Sequence, residues 1–271
     1  MNNKPATGQE RIAAAFRTAQ QTHTAALMPY YTLGYPDRAT SLQVIAAIAP
    51  DSDLLELGVP FSDPIADGPT VQHSTQKSLA AGTTVAGCLE MVRELRQQGI
   101  HTPVMLMGYM NPILAYGEER FVRDAAAAGV DGFIVPDLPP EESDSLEQYT
   151  NQAGLALIPF LAPTSDPRRI ALVLGRAKGF VYMVSVTGIT GARSHIAETL
   201  PAFVRRVRAD SPVPVAVGFG ISTPEQAAAV GQFADGVIVG SALINAVDAG
   251  GENGVAAAAN FVHSLRLALE K

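Results

Sequence analysis

The sequence predicts a closed (β/α)8 barrel with an extra helix ahead of the first strand. Three observations carry this. Short β-branched or aliphatic runs alternate strictly with longer amphipathic, Ala-rich segments. Eight such units follow one another in 271 residues, and no shift in composition divides them. Strict alternation implies parallel strands joined by helical crossovers, and barrels of this kind commonly occupy about 250 residues as one domain. The chain is therefore expected to form a single domain over residues 1–271, with a doubly wound open sheet as the alternative fold.

Taken in order, the leading helix is Glu10–Ala19. The strand runs are Ala25–Leu33, Leu54–Val59, Pro103–Gly108, Gly132–Pro136, Ala156–Leu161, Phe180–Ser185, Pro214–Phe219 and Gly236–Val239. Each is apolar and bounded by Gly, Pro, Asp or Thr, residues that punctuate chains at turns. The intervening helical patterns are Arg38–Ile48, Thr70–Gln98 (broken at Gly82), Glu118–Ala128, Glu142–Ala153, Pro167–Leu174, Ile196–Arg208, Pro224–Val230 and Val255–Leu269. The Ala126–Ala128 and Ala256–Ala259 runs are simply good helix formers. No internal repeat of fixed sequence and no low-complexity linker is read in the chain.

Composition narrows the function. The chain is 47% hydrophobic and 17% charged, with 24 Gly and 19 Pro, which suits a large core linked by many short turns. Lys plus Arg number 19 against 26 Asp plus Glu, a formal charge of −7. An acidic chain without a basic block argues against nucleic acid or an anionic membrane as partner. Met1–Glu10 is polar with no apolar signal core, and no stretch approaches a membrane span, so a cytoplasmic location is expected. The single cysteine, Cys88, fits a reducing compartment and lies in a helical pattern away from the strand ends, as a small hydrophobe would. The five histidines show no metal-ligand spacing. Neither a P-loop nor a strand–GxGxxG–helix pattern appears.

In such barrels the chemistry sits at the C-terminal ends of the strands. On the second strand, alternation of side chains sends Leu55, Leu57 and Val59 outward and Glu56 into the barrel with Leu54 and Gly58. A carboxyl among apolar side chains has its pKa raised, which suits a proton shuttle near neutral pH. The bland alternative, a bridge to a neighbouring cation, finds no basic residue in the adjacent strands. The following loop, Pro60 to Thr70, is shaped by three prolines and a glycine and carries Asp63 and Asp67. Asp67 either forms an Asx-turn or cap before Gly68-Pro69 or touches substrate.

Strands seven and eight predict an anion site. Ala216, Gly218 and Gly220 share the inward face, leaving room for a ligand and exposing backbone N–H groups. Val239-Gly240-Ser241-Ala242 opens a short helix whose N-terminus favours an anion. After strand six, Val186–Ser194 is either a mobile lid or a plain surface loop. Tyr182 on that strand faces in or out, since both faces are apolar.

Leu55 to Pro69, running Leu-Glu-Leu-Gly-Val-Pro-Phe-Ser-Asp-Pro-Ile-Ala-Asp-Gly-Pro, resembles the signature of the tryptophan synthase α chain family. The match extends through Thr32–Pro36, Pro136–Glu142, Thr187–Gly191 and Gly218–Ser222, in the right order along nearly the whole chain. The resemblance implies a TIM barrel lyase that splits indole-3-glycerol phosphate into indole and glyceraldehyde 3-phosphate. It implies Glu56, Asp67 and Tyr182 as catalytic residues, with Asp67 on the indole N–H. Tyr30 and Met107 correspond to bulky apolar pocket positions, often Phe and Leu in the family. Thr190 corresponds to a lid residue, and Gly191, Gly220, Gly240 and Ser241 to the phosphate site, with Gly218 expected among the substrate-binding residues. The implied partner is the pyridoxal-phosphate-dependent β chain in an α2β2 complex, faced by Pro60, Asp63, Asn111 and Asp137. The chain itself shows no pyridoxal-phosphate lysine site, so no cofactor and no metal is expected on it.

Three other functions compete. A stand-alone indole producer would be fully active without a partner. Another phosphate-binding barrel isomerase or aldolase is the second, and if it were a Schiff-base aldolase it would need an inward strand lysine, of which none is found. A silent regulatory subunit would show no turnover even with the β chain, and intact Glu56 and Asp67 argue against it.

Overall fold

The computed structural model describes residues 6–184, 193–218 and 220–270. Helix α1 (Gly8–Gln21) precedes β1 (Ala26–Thr32), α2 (Arg38–Ile48), β2 (Leu55–Gly58), α3 (Pro69–Ala80), α4 (Val85–Gln97) and β3 (Val104–Met107). Then come α5 (Met110–Tyr116), α6 (Glu118–Ala128), β4 (Gly132–Ile134), α7 (Asp144–Ala153), β5 (Ala156–Ile158), β6 (Phe160–Leu161) and α8 (Pro167–Arg176). The chain finishes with β7 (Val181–Val184), α9 (Arg193–Asp210), β8 (Val215–Gly218), α10 (Pro224–Gly231), β9 (Gly236–Val239), α11 (Ser241–Gly250) and α12 (Gly254–Leu269).

The strands pair in parallel in the order β5-β4-β3-β2-β1-β9-β8-β7-β6. Strands β5 and β6 are consecutive in the chain, so the two ends of this order meet and the sheet closes into a barrel. They are the two halves of the single run expected over Ala156–Leu161. Pro159 divides them, because proline has no N–H to give a ladder, although its carbonyl still accepts from Tyr182 N–H at 2.9 Å. The expected long helix after β2 is likewise two, α3 and α4, parted at Gly82, whose φ of +85° suits glycine. Helix α5 was not anticipated; Pro112 at its third position masks it.

Helix α1 closes the N-terminal end of the barrel. It starts with a capping box in which the Glu10 carboxylate accepts from Thr7 N–H at 2.7 Å and Thr7 Oγ1 accepts from Glu10 N–H at 3.3 Å. Ile12 and Phe16 are buried, and the Phe16 ring packs 5.6 Å from that of Phe180. Burying two such side chains contributes about 3–6 kcal/mol of transfer free energy.

A device recurs at this end. Asp53, Asp131 and Asp235 each lie just before a strand, and each accepts an N–H at the start of a neighbouring strand, from Leu27, the second residue of β1 (2.7 Å), and from Val104 and Val215, the first residues of β3 and β8 (2.8 and 2.9 Å). Each also binds an arginine of an outer helix, Arg266 (2.6 Å), Arg96 (2.8 Å) and Arg208 (2.7 Å) respectively. Arg11 adds a charge contact, with Nε 2.8 Å from Asp131 Oδ1 but outside hydrogen-bond geometry. The sequence carries a trace of this that was missed as a repeat: Asp-Gly-x-Ile-Val occurs at Asp131–Val135 and at Asp235–Val239.

The core divides by face. Val181, Met183, Val215 and Val217 turn outward, in one apolar cluster with Val173, Val204 and Val207 of helices α8 and α9. Tyr182 and Ala216, their neighbours in the strands, belong to the larger core within the barrel. Tyr182 therefore faces in.

Candidate active site

Register brings the inward side chains together. Parallel pairing sets Tyr30 of β1 beside Glu56 of β2, and Tyr182 of β7 beside Phe160 and Ala216. Above them, at the C-terminal ends of the strands, lies a cavity of about 480 Å³ whose lining includes Tyr30, Glu56, Asp67, Met107, Tyr182, Gly220, Gly240 and Ser241. These are expected site residues drawn from seven separate segments. Thr190 and Gly191 lie outside the described residues.

Glu56 is 1% exposed, and its Oε2 has no hydrogen-bond partner among the described residues. Burial, reinforced by the charge of Asp67, pushes its pKa up to about 8. At neutral pH it is therefore mostly a carboxylic acid, and that protonation is how an unpaired carboxyl is tolerated there.

Asp67 is not a cap. The N-cap of α3 is Gly68, which makes no side-chain capping bond, and Pro69 opens the helix. The Asp67 carboxylate instead accepts from the Tyr109 hydroxyl at 3.0 Å, and that hydroxyl accepts from Ala66 N–H, also at 3.0 Å. Backbone bonds from Asp67 N–H to Pro64 O (3.0 Å) and from Gln72 Nε2 to Asp67 O (2.9 Å) hold the loop. Burial raises the Asp67 pKa to about 6, while the Tyr109 hydrogen bond pulls the other way. The two acids are thus separated: at pH 7 Glu56 is mainly protonated and Asp67 mainly ionised, the arrangement that acid–base chemistry requires.

The glycines do not serve quite as expected. A Cβ on Gly218 would stand 2.4 Å from the Tyr182 hydroxyl, and one on Gly58 would stand 2.1 Å from that of Tyr30. Room that the sequence assigned to a ligand at Gly218 is taken by a tyrosine. Gly218 therefore shapes the wall by admitting Tyr182.

The expected anion end is Gly240, the N-cap of α11, which has no side-chain cap. Leu243 and Ile244 N–H both turn back to Gly240 O, at 2.9 and 3.2 Å. The N–H groups of Ser241 and Ala242 have no acceptor among the described residues, and both residues line the cavity. Gly220 faces them with a φ of +81°. No lysine or arginine lines this cavity among the described residues. An anion placed here would meet backbone dipoles and no cationic side chain of the described residues.

Of the expected partner-facing residues, Asp63, Asn111 and Asp137 are exposed, while Pro60 is buried within the chain. Asp137 also accepts from Met110 N–H at 2.9 Å, which fixes the start of α5. Tyr109, Val71 and Asn245 were missed. Tyr109 follows β3 directly, where the strand-end rule points, and Asn245 sits one helical turn beyond Ser241.

Fold and pocket together define a class: a parallel barrel enzyme with two separated carboxyls and an uncapped helix N-terminus at the cavity formed by its strand C-termini. The family model for the tryptophan synthase alpha chain matches residues 16–269. A tryptophan synthase alpha chain from Geobacter sp. (strain M21) is 53% identical over 235 residues, covering 86% of this chain and 88% of the relative. One from Chloroflexus aurantiacus is 46% identical over 263 residues, 96% and 99% of the two chains. Among solved structures, tryptophan synthase subunit alpha from Legionella pneumophila superposes with a TM-score of 0.89 at 38% identity, over 96% of this chain and 98% of the other. A chain of Mycobacterium tuberculosis tryptophan synthase gives 0.88 at 38% identity, over 98% and 100%. The chain belongs to the tryptophan synthase alpha chain family, a family of lyase-type enzymes with the TIM barrel fold.

Proposed function

We propose that the chain cleaves indole-3-glycerol phosphate by a retro-aldol reaction to indole and glyceraldehyde 3-phosphate, in the last step of tryptophan biosynthesis, with Glu56 as its proton shuttle. The observation that carries this is an unpaired, buried, protonated carboxyl beside a second, ionised one. Protonated Glu56 delivers its proton to the indole ring carbon that bears the side chain. The positive charge this creates spreads to the ring nitrogen, where the Asp67 carboxylate accepts the N–H and stabilises it. The Glu56 carboxylate then takes the proton of the adjacent side-chain hydroxyl. The oxygen's electron pair forms the aldehyde C=O, the carbon–carbon bond breaks, and its electrons restore the aromatic ring. Glu56 ends protonated, ready for another cycle.

The remaining residues position the substrate. Ser241 and Ala242 N–H, with Gly220 opposite, hold the phosphate, and Tyr30, Met107 and Tyr182 enclose the ring. Thr190 and Gly191 take the lid and phosphate roles that the family resemblance implies. The whole chain is proposed to act as one domain and to work in the cytoplasm.

The family's partner is the β chain, and we place it over the loop face carrying Asp63, Asn111 and Asp137, in an α2β2 complex. Exposed apolar side chains support that face: Ile65 is 82% exposed between Asp63 and Asp67, and Leu114 is 56% exposed on α5. Pro60, buried within the chain, is left out of that face.

The test is to incubate the purified chain with indole-3-glycerol phosphate, with and without a β chain, and to measure indole. Indole should form in both, faster with the partner. No indole in either mixture rules the activity out.

A further inference from the structure

Tyr30 is 6% exposed, and its hydroxyl is the group that distinguishes it from a phenylalanine at the same place. Its ring lies against Gly240 at the anion end of the cavity, and its hydroxyl reaches over Gly58 toward the acids. That oxygen is 3.3 Å from Thr32 Oγ1, which is 2.7 Å from Ser74 Oγ, and Ser74 Oγ donates to the Val71 carbonyl at 2.9 Å. Thr32 and Ser74 are both fully buried, so each proton must find its acceptor inside the protein.

Three hydroxyls have three protons to place. If Ser74 donates to Val71 O, Thr32 donates to Ser74 and Tyr30 donates to Thr32, every proton has an acceptor. Run the other way, the chain leaves the Tyr30 proton without an acceptor among the described residues, and an unpaired buried donor is disfavoured. The first direction is the one in which every hydroxyl proton has an acceptor among the described residues. The Tyr30 proton points away from the cavity, toward α3, and the remaining lone pair of its oxygen points in. The hydroxyl also stays un-ionised, because burial and the negative charge of Asp67 hold its pKa far above the ordinary value.

We propose that Tyr30 determines specificity in the ring pocket: its hydroxyl, with the proton tied to Thr32, is a fixed hydrogen-bond acceptor. Aromatic rings carrying an N–H or O–H donor at that point are favoured, and rings carrying a lone pair there are rejected. This deepens the proposed function and rests on it, since it takes the ring pocket to hold an indole.

The test is binding, which needs no turnover. Affinities of indole, the four hydroxyindoles substituted on the benzo ring and the corresponding azaindoles are measured by calorimetry on the full chain and on Tyr30→Phe and Thr32→Val. With the wild type, one hydroxyindole position should gain about three- to tenfold over indole relative to Tyr30→Phe, the worth of one neutral hydrogen bond. In Thr32→Val the Tyr30 proton is free to turn inward, so the matching azaindole should gain by a similar factor. Thr32→Ser keeps the hydroxyl relay and should give wild-type ratios, which separates the relay from a general disturbance of β1. Ratios unchanged within twofold in Tyr30→Phe at every ring position would overturn the proposal. So would an azaindole panel in folded Thr32→Val that matches the wild type. Absence of indole-3-glycerol phosphate cleavage in the wild type is a separate failure, of the functional reading alone.

Discussion

Glu56 is costly where it stands, and its cost is measurable. Its pKa in the folded chain, about 8, lies above the ordinary 4.5. The folded state therefore binds a proton that the unfolded state gives up. Stability is unaffected below pH 4.5, falls as pH rises through the window to about 8, and stays reduced above it. Glu56→Gln removes that penalty. In thermal melts the variant should match the wild type at pH 4 and exceed it at pH 9, by an amount on the order of a few kcal/mol. Equal melting temperatures at pH 9 would mean that Glu56 is not held protonated.

In the proposed mechanism the same titration governs the rate. The acid form starts the reaction, so kcat/KM should fall on the alkaline side with a midpoint near 8, while loss of Asp67 charge lowers it on the acid side near 6. The two carboxyls interact, so the midpoints belong to the pair. The alkaline limb is the diagnostic one, because the substrate phosphate itself titrates near pH 6. A kcat/KM flat from pH 7 to pH 10 would contradict it.

At the scale of elements, the aspartates just ahead of β2, β4 and β9 repeat one function: each holds an N–H within the first two residues of a neighbouring strand and anchors an outer-helix arginine. They differ in burial. The side chain of Asp131 is 3% exposed and that of its partner Arg96 15%, against 21% and 46% for Asp235 and Arg208. Removing Asp131 leaves a buried guanidinium without its counter-charge. Asp131→Ala should therefore cost about 3–5 kcal/mol in urea unfolding, and Asp235→Ala about 1–2 kcal/mol. Equal losses would show that burial does not set the strength of these ties.

Most elements were legible because periodicity and turn residues survive in any context. Where the sequence fell short, tertiary structure decided. The break at Pro159 depends on which neighbours the two halves pair with. Helix α5 is held by an aspartate, Asp137, twenty-seven residues away from the N–H that it accepts. Tyr182 was ambiguous because apolar side chains flank it on both sides, and only the barrel's closure distinguishes inside from outside. In the site, Glu56 was readable because a carboxyl in an apolar strand is chemically conspicuous. Tyr109 was not, since its bond to Asp67 joins two loops far apart in the chain. Gly218 misled because the empty space beside a glycine does not reveal which neighbour fills it.

For the whole molecule, the closed end and the open end have different tasks. Helix α1 and the aspartate ties consolidate the N-terminal end, while acids, backbone amides and exposed Ile65 and Leu114 gather at the other. The proposed partner covers the open end, beside the Asp67 loop. Addition of a β chain should therefore raise the rate of indole formation, and a charge reversal, Asp63→Lys, should weaken that rise while leaving the melting temperature unchanged. A rise equal to that of the wild type would remove Asp63 from the interface. None of the helices among the described residues is long and apolar enough to cross a membrane.

The central claim is that one inward acid moves the protons of the reaction. It is tested most directly by indole release from Glu56→Gln at saturating indole-3-glycerol phosphate with the β chain present, alongside binding of a non-cleavable indole alkyl phosphate. Turnover should fall by about 10²–10⁴-fold, the usual worth of a positioned acid–base group, with binding changed only a few-fold. A folded variant that binds the analogue and still releases indole near the wild-type rate would contradict it.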